Sequence, residues 1–135
     1  DKMVLTPTYH VFRMFRVHQE AQLLNIDLRC EDYTNGSKKI PAISASASVD
    51  KEGKMHISLA NLNPNKPVTV TCPVIGDTFK KVTAEVLTAS EMNSFNSFED
   101  GENVKPASFS GFTIKDGVLT INMPSKSVVV FELTK

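Results

Sequence analysis

The chain of 135 residues has no tryptophan, only two cysteines and no excess of either charge. Fifteen basic and fifteen acidic side chains cancel to a formal net charge of zero. That balance removes the electrostatic case for nucleic acid or an anionic membrane as the main partner. No apolar run approaches the roughly 18 residues that a membrane span needs. Two cysteines, Cys30 and Cys72, do not make a disulfide framework. Buried free thiols are the commoner state, although the sequence leaves a pairing between them open. The motifs of catalysis are missing as well. There is no Gly-x-Ser-x-Gly elbow and no glycine-rich strand-to-helix turn. His10, His18 and His56 lack the spacing of metal ligands, so we expect no metal and no cofactor. His10 and His18 read instead as polar members of a packing face.

What is present begins with a helix signal. Thr6 suits a cap and Pro7 the first helical position, and no further Gly or Pro occurs before the Asn25 region. At about 100° per residue Val11, Phe12, Met14, Phe15 and His18 form one arc, which Val17, Ala21 and Leu24 widen. An ordinary surface helix needs an apolar stripe little more than about 100° wide. This one is broader, so it should have two neighbours, only one of them in this domain. The chain also starts at Asp1 rather than Met. We therefore expect residues 1–24 to be the terminal helix of a preceding domain, with Val11, Phe12, Met14, Phe15 and Val17 packed against it. Without that partner they would form an apolar patch prone to self-association.

From residue 25 the period changes to that of strands. Asn25–Cys30 alternates, residues 31–42 read as a loop, and strands follow at Ile43–Val49, Lys54–Asn61, Val68–Val74 and Lys80–Ala89. Ser90–Ala107 is the one long irregular segment. Phe109–Ile114 and Val118–Met123 flank the tight turn Lys115-Asp116-Gly117. Ser127–Leu133 closes the chain, and its Val128-Val129-Val130-Phe131 run suggests burial on both faces. About eight strands without intervening helices imply two antiparallel sheets packed face to face over residues 25–135.

Two groups of side chains deserve weighing as sites. Glu91, Glu99, Asp100 and Glu102 cluster in the irregular segment, where paired carboxylates could do acid–base work. In so polar a loop they read as solvated. Phe95 and Phe98, in Asn93-Ser94-Phe95-Asn96-Ser97-Phe98, are the aromatics least suited to a strand core. Sugar sites usually present flat rings with a polar handle. Phe lacks the handle, so plugging the loop into the core is the expected use. Asn35-Gly36-Ser37 matches a glycosylation sequon but reads better as a turn.

Taken together, these segments resemble a known family. Leu5-Thr6-Pro7-Thr8-Tyr9-His10-Val11-Phe12 followed by Val17-His18-Gln19 is similar to the last barrel helix of family 51 α-L-arabinofuranosidases. Ser44–Ser48, His56–Pro64, Leu87–Asn93, Asn96–Glu99, Val104–Pro106 and Ser127–Leu133 resemble, in order, that family's C-terminal domain. The resemblance implies a (β/α)8 barrel followed by a jelly-roll-like sandwich. It also implies retaining hydrolysis of terminal α-L-arabinofuranosyl groups of arabinan or arabinoxylan. In the family the acid/base Glu follows an Asn and the nucleophile Glu precedes a Trp. Neither pair occurs here, so no catalytic residue is expected in this chain, and its role would be structural support and oligomerisation. A carbohydrate-binding module is the alternative.

Overall fold

A computed structural model describes residues 3–76 and 78–135. Asp1, Lys2 and Asp77 lie outside the described residues, and with them the expectation that hangs on Asp1. The helix α1 spans Pro7–Phe15, with the Thr6 hydroxyl accepting from the Tyr9 amide, and Arg16–His18 continue it as a 3-10 turn. Eleven strands follow among the described residues. They are β1 (Gln22–Leu23), β2 (Asp32–Asn35), β3 (Lys38–Pro41), β4 (Ile43–Val49), β5 (Met55–Asn61), β6 (Val68–Pro73), β7 (Lys81–Leu87), β8 (Ala107–Ser108), β9 (Phe112–Lys115), β10 (Val118–Met123) and β11 (Ser127–Thr134).

A six-stranded sheet in the order β1-β4-β5-β11-β7-β8 faces a three-stranded sheet, β6-β10-β9, and every pairing is antiparallel. This is the expected sandwich. Its core comes from the inward alternate residues of both sheets, among them Ile57, Leu59, Leu119, Ile121, Met123, Val129, Phe131 and Leu133. Phe131 sits at the centre of the larger sheet. The rings of Phe112 and Phe109 meet it edge-on, at centroid distances of 5.3 and 6.2 Å. Edge-to-face pairs of this kind add to the area they bury. The Val128–Phe131 run is central, as its apolarity suggests, with β5 on one side and β7 on the other.

The turns explain how the strands find register. Asp116-Gly117 joins β9 to β10 with both residues at positive φ, 50° and 76°, the backbone that a two-residue hairpin demands. Between β4 and β5, Asp50 accepts from the amides of Glu52 and Lys54 at 2.9 and 3.0 Å and so closes that hairpin. The chain changes sheets between β8 and β9. Phe109 still bonds to Ala84 of the larger sheet, whereas Gly111 already bonds to Asn122 of the smaller one. A Cβ at Gly111 would lie 2.7 Å from the Phe109 ring, so this crossing admits only glycine without displacing the ring.

Three expectations fail. The helix does not reach Leu24. It ends at Phe15, the chain reverses through Glu20 at φ 57°, and Gln22–Leu23 pairs with Ser48–Val49 as an edge strand. Tertiary pairing overrides local propensity there. Asn25–Cys30 alternates but forms no strand, and its apolar Ile26 and Leu28 stay partly exposed. The supposed loop at 31–42 contains the β2–β3 hairpin, turned by Gly36-Ser37. Alternation needs a free sheet edge to become a strand, and the hairpin supplies its own.

Because Phe131 is fully buried among aromatic and aliphatic neighbours, Phe131→Ala should destabilise the fold by about 3–5 kcal/mol in urea titration, with an unchanged transition slope.

Candidate functional site

The outer face of the six-stranded sheet carries the other alternate residues, polar over much of its area and apolar at Leu87, Val128 and Val130. β4 contributes Ser48, β5 contributes His56 and Ser58, and β7 and β11 contribute Glu85 and Glu132. The helix and its 3-10 turn lie across this face. One side of α1 is apolar and covered: Met14 is 3% exposed and packs with Leu87, Val104 and Val130, with Val11 and Val17 at the margin. The other side carries Tyr9, Phe12 and Phe15, three residues apart, and these remain exposed, Phe12 at 77% and Phe15 at 37%. The five residues expected to face a partner therefore divide. Met14, Val11 and Val17 pack within this chain because they lie on the arc turned toward the sheet. Phe12 and Phe15 lie on the opposite arc and are left for something else.

A polar clamp fixes the end of this helical segment. The His18 ring bridges two hydroxyls, Nδ1 to Ser48 Oγ at 2.7 Å and Nε2 to Ser58 Oγ at 2.6 Å. Both serines are buried, and the Phe15 ring meets the imidazole edge-on. Burial, then the nearby His56, hold the His18 pKa below its ordinary 6.5. A neutral imidazole suits the pair, since one nitrogen donates to a hydroxyl and the other accepts from one. His56 bonds through Nε2 to Asp50 at 2.8 Å, which lowers the Asp50 pKa. His10 is buried with neither ring nitrogen hydrogen-bonded, and the Glu102 carboxylate lies 3.8 Å from Nε2. The three histidines thus serve separate contacts. Among the described residues no three His, Cys, Asp or Glu side chains gather in a way that could hold a metal ion.

The remaining candidates are distributed as follows. Glu91, Glu99, Asp100 and Glu102 are all exposed, as so polar a loop leads one to expect. Phe95 and Phe98 do not plug the core; they stand 64% and 58% exposed. The residue between them does the plugging. Asn96 is buried, donates to the carbonyls of Leu5 (2.7 Å) and Val104 (2.8 Å), and accepts from the Val104 amide (2.6 Å). Nothing in the sequence distinguishes Asn96 from its neighbours, because its partners are distant backbone groups. Cys30 is exposed and Cys72 half-buried, and both are free. Desolvation raises the Cys72 pKa, which disfavours its thiolate. No helix among the described residues is long and apolar enough to cross a membrane.

A family model described as the α-L-arabinofuranosidase C-terminal domain matches residues 1–127. The chain belongs to that family. It is 45% identical over 134 residues to an intracellular exo-α-L-arabinofuranosidase of Bacteroides ovatus, spanning 98% of this chain and 26% of that protein. The GH51 arabinofuranosidase of Xanthomonas axonopodis pv. citri superposes with a TM-score of 0.95 at 33% identity, over 98% of this chain and 27% of its own. The α-L-arabinofuranosidase of Thermotoga maritima shares the fold, with a TM-score of 0.81 at 24% identity over 96% of this chain and 29% of its own. The chain thus spans about a quarter of the length of the relatives it matches.

In this arabinofuranosidase C-terminal domain the His18 clamp carries a pH signature. A depressed folded pKa means that the unfolded chain binds the extra proton first. The clamp's contribution is therefore whole above 6.5 and declines as the pH falls through 6.5 toward the lowered value. Thermal unfolding across this range should show wild-type stability falling with pH, and a flatter dependence for His18→Gln. Parallel profiles would rule the clamp out as the source.

Proposed function

We propose that this domain is the non-catalytic sandwich of a retaining arabinofuranosidase, and that α1 is the last helix of the enzyme's (β/α)8 barrel. The observation that carries this reading is the double-sided helix. One arc is anchored to the sheet by Met14 and the His18 clamp, while Phe12 and Phe15 project from the other. A barrel helix needs just such an outward apolar stripe to face the barrel strands, and a phenylalanine gains about 1.5–3 kcal/mol when such burial is complete. The sandwich grips the helix from outside, and the barrel covers it from inside.

The activity of the whole protein is release of terminal α-L-arabinofuranosyl groups from arabinan or arabinoxylan. Retention requires an acid/base and a nucleophilic carboxylate on opposite sides of the scissile bond. In this reading both belong to the barrel. The sequence here has no Asn-Glu pair and no tryptophan, and its loop carboxylates lie exposed on the sandwich. What the sandwich contributes is a fixed position for the last helix, with oligomer contacts on its free surface. A carbohydrate-binding module is a second reading, favoured by the exposed Phe95 and Phe98.

Two experiments test the proposal. In the full-length enzyme, single amide replacements of Glu91, Glu99, Asp100 and Glu102 should leave kcat on an aryl α-L-arabinofuranoside within about threefold. Loss of a true acid–base group costs about 10²–10⁴-fold, and a fall of that size at any of the four would place catalysis in this domain. The double variant Phe12→Glu/Phe15→Glu should lower full-length stability by more than about 2 kcal/mol while making the isolated domain more soluble. An unchanged full-length melting temperature would mean that nothing covers the stripe.

A further inference from the structure

The segment 88–106 is irregular in sequence but held firmly in place. Asn96 ties it to Leu5 and Val104 through three short hydrogen bonds. The backbones of Ser97 and Gly101 bond to each other in both directions, and the Ser97 hydroxyl accepts from the Asp100 amide at 2.9 Å. Glu102 reaches toward His10 in the first turn of α1. The bond from Asn96 to Leu5 fastens the loop to the N-terminal end of the helix, and Glu102 approaches that same end. Phe95 and Phe98 flank the buried Asn96 and point away from the core, with exposed Met92 nearby in sequence.

In a (β/α)8 barrel each helix begins where its strand finishes, and that end of the barrel holds the active site. If α1 is the last barrel helix, as proposed above, then Leu5 and the loop stapled to it lie at the catalytic end of the enzyme. We propose that Phe95 and Phe98 form part of the active-site rim and stack on the glycan chain that bears the arabinofuranosyl group, on its leaving-group side.

Composition favours a glycan over a protein partner. Exposed Asn93 and Glu99 stand beside the rings in the chain, and both can bond sugar hydroxyls. What separates the two kinds of partner is charge: the centre of a protein interface is depleted in charged residues, whereas Glu99, Asp100 and Glu102 follow the rings and are exposed. Rigidity favours it too, because a pre-ordered loop loses little entropy when an oligosaccharide docks. The rings act in binding alone; the bond-breaking carboxylates remain those of the barrel.

The test compares two substrates of the full-length enzyme. An aryl α-L-arabinofuranoside has a small leaving group that does not reach the rim, whereas an arabinoxylan oligosaccharide has one that does. Phe95→Ala/Phe98→Ala should leave kcat/KM on the aryl substrate within about twofold and lower it about tenfold on the oligosaccharide. Phe95→Trp/Phe98→Trp should retain or raise the oligosaccharide value. A parallel loss on both substrates, accompanied by a lower melting temperature, would mean that the rings pack against the barrel and overturn the inference. Unchanged values on both substrates would overturn it as well. A wild-type enzyme inactive on the aryl arabinofuranoside would instead sink the underlying enzyme assignment, and this inference with it.

Discussion

The attachment of a short helical segment to the outer face of a β-sheet governs this domain. That face is mixed: serines and a histidine line it on β4 and β5, and Leu87, Val128 and Val130 line it on β7 and β11, so polar and apolar contacts together hold α1 there. Met14 supplies a small apolar contact beside Leu87, Val104 and Val130, and His18 supplies direction by bridging Ser48 and Ser58. Hydrogen bonds between buried groups add modest net stability but strongly penalise misplacement, since a displaced partner leaves a desolvated group unpaired. The clamp therefore fixes where the helix sits and which of its arcs faces outward.

In the proposed arrangement that orientation links the sandwich to the barrel. Had the helix rolled by a third of a turn, Phe12 and Phe15 would meet the sheet and Met14, His10 and Val17 would be turned away from it. As it stands, the covered arc ends near Val11 and the exposed aromatic stripe begins beside it. The same geometry brings the start of α1 to the 88–106 loop, where Asn96 joins them. One face of the domain thus grips a helix, and one corner presents two aromatic rings on a rigid support.

Much of the fold can be read from the chain itself. Strict alternation in Ile43–Val49, Met55–Asn61 and Val118–Met123 and the Asp116-Gly117 turn survive in the structure because each meets a partner strand with matching inward residues. The same alternation in Asn25–Cys30 misleads, since no sheet edge is available to it. The helix is overextended by sequence reasoning because the strand pairing of Gln22–Leu23 with β4 is a long-range event that no local propensity registers. The family likeness was legible in the order of the segments. The clamp and the Asn96 staple were not, because a serine, a histidine or an asparagine reveals its partner only once distant strands and turns are assembled. That Phe95 and Phe98 face solvent rather than the core is not legible for a related reason: local pattern identifies an unusual aromatic but not the direction it faces.

The central claim is that the outward stripe of α1 is covered by a barrel in the intact enzyme. Its most direct measure is the thiol-labelling rate at Phe12→Cys in the full-length protein, in a background otherwise free of cysteine (Cys30→Ser and Cys72→Ala among the changes), under native conditions and in denaturant. A covered stripe predicts native labelling slower than the unfolded rate by at least about a hundredfold, the protection expected when access requires an opening of a few kcal/mol. Native labelling at close to the unfolded rate would show position 12 as open in the whole enzyme as it is in this domain, and would contradict the account.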